Sequence, residues 1–283
     1  MSRPVVSVVV PTRDRAGYLD VTLRSLARQE LAHPYELIVV DDGADGATPE
    51  VAERGGARLL RPARGGGPNT ARNAGIAAAE AELVALVDDD VEAPPGWLRA
   101  VVEGAARHPE ADAFGGPIRA RLEGPAPRAC GREDAPITSL DLGDADREVE
   151  LVWSANMALR RDAFERVGPF DERFSTGGDE EEWLRRLRDG GGRVVYLAAA
   201  GLDHRRAGDD ARLRSLIRGA YRRGRNMRAY DAVRDRAPGL GSELRVLAGC
   251  GWHTVRRACP QGLVMGAHSA GRLVEAVRPS RLR

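Results

Sequence analysis

With 283 residues, 42% of them hydrophobic and 30% charged, the chain can bury one large core, or one core with an appended lobe. Its apolar runs are about strand length, short of the roughly 20 residues that a spanning helix needs, so no transmembrane helix is expected. Met1-Ser2-Arg3-Pro4 leads straight into a strand without the apolar core of a signal peptide, and a cytoplasmic protein is expected.

The net charge of +1 conceals an asymmetry. Residues 205–283 carry 18 arginines against 6 acidic residues, and the remainder carries 25 against 36. An acidic body and a basic tail follow. Such a tail suits an anionic membrane surface, a phosphorylated acceptor or nucleic acid, and equally the solvated face of ordinary helices. All 43 basic residues are arginine, which reflects genome composition more than chemistry. Cys130, Cys250 and Cys259 are an odd number at no disulfide-like spacing, in keeping with a reducing compartment. Cys250, His253, Cys259 and His268 match no standard zinc spacing; they are read as buried thiols and polar-face histidines.

In chain order, Val5 to Val10 is β-branched and apolar and reads as a buried strand ended by Pro11-Thr12-Arg13-Asp14-Arg15. Tyr18, Leu19, Leu23 and Leu26 recur at helical spacing. Glu36 to Val40 is a second strand, finishing in Asp41-Asp42-Gly43. Arg58 to Leu60 reads as a short strand, and Pro68 to Ala79 as a helix. Leu83 to Val87 is five apolar residues, too few for a globular helix and fit for a strand buried on both faces. Asp88, Asp89 and Asp90 follow at its carboxyl end.

In open α/β sheets ligands bind at that edge, and clustered carboxylates there suit Mg²⁺ or Mn²⁺ carrying a phosphorylated substrate. The alternation of strand and helix predicts a doubly wound α/β sheet with helices on both faces. Arg64-Gly65-Gly66-Gly67-Pro68 is read as a flexible loop, because a Walker phosphate loop needs a lysine and the chain has none. Residues 120–149 break all periodicity, as a lid or acceptor-binding loop does. A helix is expected from Pro94 to Arg107 and a strand from Arg193 to Leu197. Beyond Arg206, Leu213, Leu216, Ile217, Ala220 and Tyr221 follow one helical face, and Leu244, Val246, Leu247, Val255, Leu263 and Val264 form a second apolar set.

The runs SVVVPTRDRAGYL, ELIVVDDGADGAT and NTARNAGIAAAEAELVALVDDDVEAPPGWL, then SANMALRRDAFERVGPFDERF and GGDEEEWLRRLRDGGGRVVYL, resemble the family 2 glycosyltransferases of the GT-A fold. The resemblance covers about residues 5–206. It implies a domain at 1–206, with a nucleotide-sugar-binding half at 1–110 and an acceptor half at 111–206, and leaves 207–283 as a basic helical extension.

By resemblance, Pro11, Thr12, Arg13, Asp41 and Asp42 would line the base pocket, where a carboxylate can accept the imide hydrogen of a uracil or thymine ring. Arg72 would face the diphosphate or ribose. Asp90 matches the residue that holds the metal, with Asp88 and His204 as further ligands, and Asp88 or Asp89 would bind the ribose or sugar. Asn156, in Trp153-Ser154-Ala155-Asn156, would bond donor hydroxyls. Family members usually carry Glu-Asp at the start of the later helix, the second residue acting as base. Alignment on Trp183, Arg186 and Leu187 puts Asp179 and Glu180 there in reversed order, which leaves the base between them.

The implied reaction moves a single sugar from a nucleoside-diphosphate sugar, of UDP or dTDP type, to an acceptor hydroxyl with inversion and with Mn²⁺ or Mg²⁺. No Gln-x-x-Arg-Trp motif, the mark of processive synthases, is present. The implied setting is cell-envelope glycan synthesis, with a lipid-linked acceptor and membrane contact through the tail among the expectations, and no nucleic-acid partner. A sugar nucleotidyltransferase and a degenerate nucleotide-sugar-binding scaffold are the alternatives.

Overall fold

The computed structural model describes residues 3–62, 65–125, 127–128, 130–132, 137–173, 179–234 and 236–279, with the side chains of 179 and 233 outside the description. The elements in order are β1 (Val6–Thr12), α1 (Ala16–Leu26), β2 (Tyr35–Asp41), α2 (Thr48–Arg54), β3 (Arg58–Leu60), α3 (Pro68–Ala78), β4 (Leu83–Val87), β5 (Val91–Glu92) and α4 (Trp97–Arg107). They continue with β6 (Ala113–Gly115), β7 (Ile118–Leu122), β8 (Arg147–Glu148), β9 (Asn156–Arg160), α5 (Arg161–Val167), α6 (Asp179–Asp189), β10 (Val194–Tyr196) and β11 (Leu202–Arg206). A 3-10 turn (Gly208–Ala211) leads to α7 (Leu213–Val233), α8 (Leu240–Arg257) and α9 (Gln261–Val277).

Eight strands form one sheet in the order β3-β2-β1-β4-β9-β6-β10-β8. All but β9 and β8 run in the same direction. The chain steps from β1 outward to β2 and β3, then returns to place β4 on the other side of β1. The crevice outside the carboxyl ends of β1 and β4 is therefore a topological switch point, where open α/β sheets bind ligands.

Both faces of this sheet are covered, as the continuous apolar strands predict. Val6, Val8, Val10, Leu83, Ala85 and Val87 point into a core shared with α1, α2 and α4. Val9, Val84 and Leu86 point the other way, toward Ile76 of α3 and Trp183, Leu184 and Leu187 of α6. Alternate residues of one strand thus feed opposite cores, and a polar substitution anywhere along β4 would be buried.

The chain divides into two compact units: 1–119, 139–175 and 179–204, and then 120–138, 176–178 and 205–283. In the second, Ile137, Leu216, Ala220 and Val264 form a small core. Buried Glu275 accepts from Arg225 at 2.9 Å, and Arg272 joins Glu243 at 2.6 Å and Asp231 at 2.8 Å, tying α7, α8 and α9 together. Gly224 of α7 lies against the His268 backbone of α9, where any Cβ would collide with the carbonyl. The second apolar set behaves differently from a core stripe. Val264 is buried, whereas Leu244, Val246 and Val255 are 56%, 52% and 80% exposed. Within the aperiodic stretch 120–149, β7 ends at Leu122, Leu140 bridges to Ile118 and β8 adds an edge strand; residues 126, 129 and 133–136 lie outside the described residues.

Candidate active site at the sheet's switch point

Register assembles the site. Thr12 pairs with Asp41 across β1 and β2, and Val9 pairs with Leu86, which brings Thr12 level with Asp89. On the other side Asn156 of β9 pairs with Val87, so the segment just before β9 also opens onto this edge. His204 of β11 pairs with Val91 of β5 and so stands beside the end of the aspartate triplet. Four strands far apart in sequence thereby deliver polar side chains to one place.

The three aspartates do different things. Asp89 is drawn toward the strand ends and α1: it accepts from Thr12 Oγ1 and from Arg15 Nη1, each at 2.7 Å, and its carbonyl accepts from the Thr22 hydroxyl. Burial raises its pKa to about 7, against the opposing pull of Arg15. Asp90 accepts from Arg15 Nη2 at 2.8 Å and lies 3.0 Å from His204 Nε2. Asp88 faces the same imidazole at 3.8 Å and Arg72 Nη2 at 3.7 Å. Burial pushes the Asp88 carboxyl up, but His204 and Arg72 outweigh it and hold it below its usual value.

Asp88, Asp90 and His204 offer ligand atoms that all lie within 4.8 Å of one another. An octahedral ion with bonds of about 2.1 Å sets neighbouring ligands roughly 3.0 Å apart and opposite ones roughly 4.2 Å apart, so the trio fits Mg²⁺ or Mn²⁺. Burial lowers the His204 pKa, but Asp88 and Asp90 more than reverse this and bring it to about 9. Asp89 stands outside this trio and serves to fix the strand ends.

Around the carboxylates, Arg72 is 6% exposed in α3 and its Nη1 donates to Asn69 Oδ1 at 2.9 Å. It is a buried arginine aimed at the site, not a surface one. Asp41 is buried, accepting from the Gly43 amide and from Arg61. Asp42 accepts from the amides of Gly66 and Gly67 at 3.1 and 3.0 Å, which pins the start of α3, where Gly67 takes a left-handed φ of 93°. Arg13 is mostly exposed, with Nη1 3.7 Å from Asp42. Pro11, in β1, pairs with Val40.

Glu180, in the first turn of α6, accepts from both the hydroxyl and the amide of Ser154. The helix is anchored by Trp183, fully buried against Phe164 and Phe170, with its indole N–H donating to Gly168 at 2.8 Å. Asp179 opens the helix, and its side chain lies outside the described residues. Asn156 is not aimed at the crevice. Its Oδ1 accepts from Trp97 Nε1 at 2.9 Å while its Nδ2 donates to Pro117 and Ala200 at 3.1 and 2.7 Å.

Sequence reasoning missed Arg15, which bridges Asp89 and Asp90 and stacks on Tyr18 at 4.3 Å. The signal was its place just after the first strand's end, in the same turn as Arg13. It also missed Ser154 as the partner of Glu180, a contact between residues 26 apart.

A mostly parallel doubly wound sheet with carboxylates gathered at its switch point is the architecture of the GT-A glycosyltransferases. The sequence profile described as "Glycosyl transferase family 2" matches residues 7–168, and the chain belongs to that family. It is 35% identical over 213 residues to the pre-mycofactocin glycosyltransferase of Mycobacterium tuberculosis, covering 71% of this chain and 43% of that one. The chain thus spans less than half the length of that relative. Among solved structures it resembles GalNAc-T7 with UDP, GalNAc and Mn²⁺, at a TM-score of 0.59 and 15% identity, over 83% of this chain and 51% of that one. It also resembles the mannosyltransferase PcManGT from Pyrobaculum calidifontis in complex with GDP-Man and Mn²⁺, at 0.57 and 18%, over 99% and 77%. At these identities the likeness concerns the fold.

Proposed function

We propose that this protein transfers a single sugar from a nucleoside-diphosphate sugar to an acceptor hydroxyl, with inversion at the anomeric carbon. The observation that carries the reading is the convergence of Asp88, Asp90 and His204 at the switch point between β1 and β4. These three would hold Mn²⁺ or Mg²⁺, which when bound neutralises the charge that builds on the departing diphosphate. Arg72, buried beside Asp88, would add charge-assisted hydrogen bonds to the same phosphates or to the ribose. Asp41, at the end of β2, would accept the imide N–H of a pyrimidine base, which favours a UDP or dTDP donor.

Glu180 is the better-supported base. Ser154 holds one carboxylate oxygen, which fixes the orientation of the group that would take the acceptor proton as the oxygen attacks. Asp179 is the second candidate for the same role. The test is a donor panel scored for released product: a nucleoside diphosphate and a sugar of opposite anomeric configuration are expected. Pyrophosphate released from a nucleoside triphosphate and a sugar phosphate would mark a nucleotidyltransferase instead.

A lipid-linked acceptor at a membrane surface fits the tail. Along one side of α8, Leu240, Leu244, Ala248, Gly251, Trp252 and Val255 are all exposed at helical spacing, in a segment rich in arginine. None of the described helices is long and apolar enough to cross a membrane. Co-sedimentation with anionic vesicles, weakened by salt and by Trp252→Ser, is the expected behaviour; equal partition with neutral vesicles would argue against it.

A further inference from the structure

The second unit contains a cluster of different chemistry. Cys130, from the segment after β7, meets His253 in the last turns of α8 and Cys259 just beyond its end. Cys130 Sγ lies 3.4 Å from His253 Nε2, and the ligand atoms of all three residues lie within 4.8 Å of one another. We propose that Cys130, His253 and Cys259 bind a zinc ion that clips the Cys130 segment to the turn between α8 and α9.

Four observations build the site. A tetrahedral zinc ion with bonds of about 2.3 Å to sulfur and 2.0–2.1 Å to nitrogen sets those atoms roughly 3.6 Å apart, close to the separation seen. Two thiolates and an imidazole are a soft donor set, suited to zinc and ill suited to Mg²⁺. The turn that presents Cys259 is held against its own preference, since Ala258 sits at the helix end with φ 47° and the Cys259 amide returns to the Thr254 carbonyl at 3.2 Å. Just beyond this turn α9 packs closely on α8 at Gly262, where a Cβ would meet the Thr254 hydroxyl and, at 2.9 Å, the Cys250 carbonyl. Three protein ligands leave the fourth position to water.

Zinc here is separate from the carboxylate site, and the two should respond independently. Tag-free full-length protein, purified reduced, supplied with zinc and dialysed against metal-free buffer, should retain about one zinc ion per chain by mass spectrometry. Asp90→Ala should retain the same amount, while Cys130→Ser should bind at least about tenfold more weakly. Cobalt substituted for zinc should give thiolate charge-transfer and tetrahedral ligand-field bands that disappear in Cys130→Ser. Cys259 is buried, so Cys259→Ser can fail to fold; in wild type, zinc should instead protect two of the three thiols from a thiol reagent. The proposal is overturned if the reduced wild type retains no zinc, if Cys130→Ser retains it unchanged, or if the cobalt spectrum lacks thiolate bands. It is equally overturned if two thiols are missing because Cys130 and Cys259 have formed a disulfide.

Discussion

The carboxylate site of the first unit and the thiol site of the second are put together in opposite ways. Asp88 and Asp90 lie two residues apart at the end of one buried strand, and a single strand pairing adds His204. In the thiol site, Cys130 and His253 are 123 residues apart and belong to no shared strand or helix. The first site is a product of sheet topology, which places the carboxyl ends of the parallel strands on one edge; the second depends on one helix end and one loop. The donor atoms differ accordingly, hard oxygens in one and soft sulfurs in the other, so the two should take different ions.

The sharpest way to separate the two is Glu180→Gln. Turnover should fall by about 10²–10⁴-fold, the range that a general base contributes, while donor binding and zinc content stay as in wild type. Unchanged turnover would move the base to Asp179 or remove it from this helix. Trp183→Ala attacks the support of the same site: emptying the pocket beside Phe164 and Phe170 should cost about 3–5 kcal/mol in urea unfolding, and a loss below 1 kcal/mol would mean that α6 is not held by its indole.

Gly224→Ala tests the helical unit in the same terms. The added Cβ meets the His268 carbonyl, and overpacking of this kind should cost about 1–3 kcal/mol, read as a lowered melting midpoint. No change would place α7 and α9 further apart than described.

The smallest expected effect concerns acid stability. Burial pushes the Asp146 carboxyl up, but hydrogen bonds from Arg107, the Ala198 amide and His108 outweigh it and hold its folded pKa below the ordinary carboxylate range. A depressed folded pKa adds stability that is complete above the unfolded value of about 3.9 and fades as pH falls through the folded one. Asp146→Asn should therefore cost about 1 kcal/mol at neutral pH and nothing in strong acid. An equal cost at both extremes would show that the charge on this group is not what matters.

Much of the fold could be read from the chain because the parallel strands announce themselves. β1, β2 and β4 are continuous apolar runs ending in polar residues, and α3 opens at the expected proline. The same strand ends made Asp41 and the aspartate triplet legible as site candidates, and Thr12 joined them through the resemblance. His204 came through resemblance alone, since nothing local separates it from a structural histidine. Arg15 was hidden among the many arginines of the chain, and its role exists only once β1 and β4 are neighbours. Asn156 looked available because sequence does not reveal that Trp97, Pro117 and Ala200 satisfy its amide. In α8 the apolar residues suggested a core stripe, yet Leu244 and Val255 face solvent, because periodicity identifies a face without saying what covers it.

The central claim is that the carboxylate site binds a nucleotide through a divalent metal. Calorimetric titration of UDP, dTDP, GDP and CDP, with and without Mn²⁺, into wild type and Asp90→Ala tests it most directly. The account predicts that one pyrimidine diphosphate binds only with Mn²⁺ and that Asp90→Ala loses at least about 100-fold in affinity. Binding that is indifferent to the metal and to Asp90, or no binding of any of the four at millimolar concentration, would contradict it.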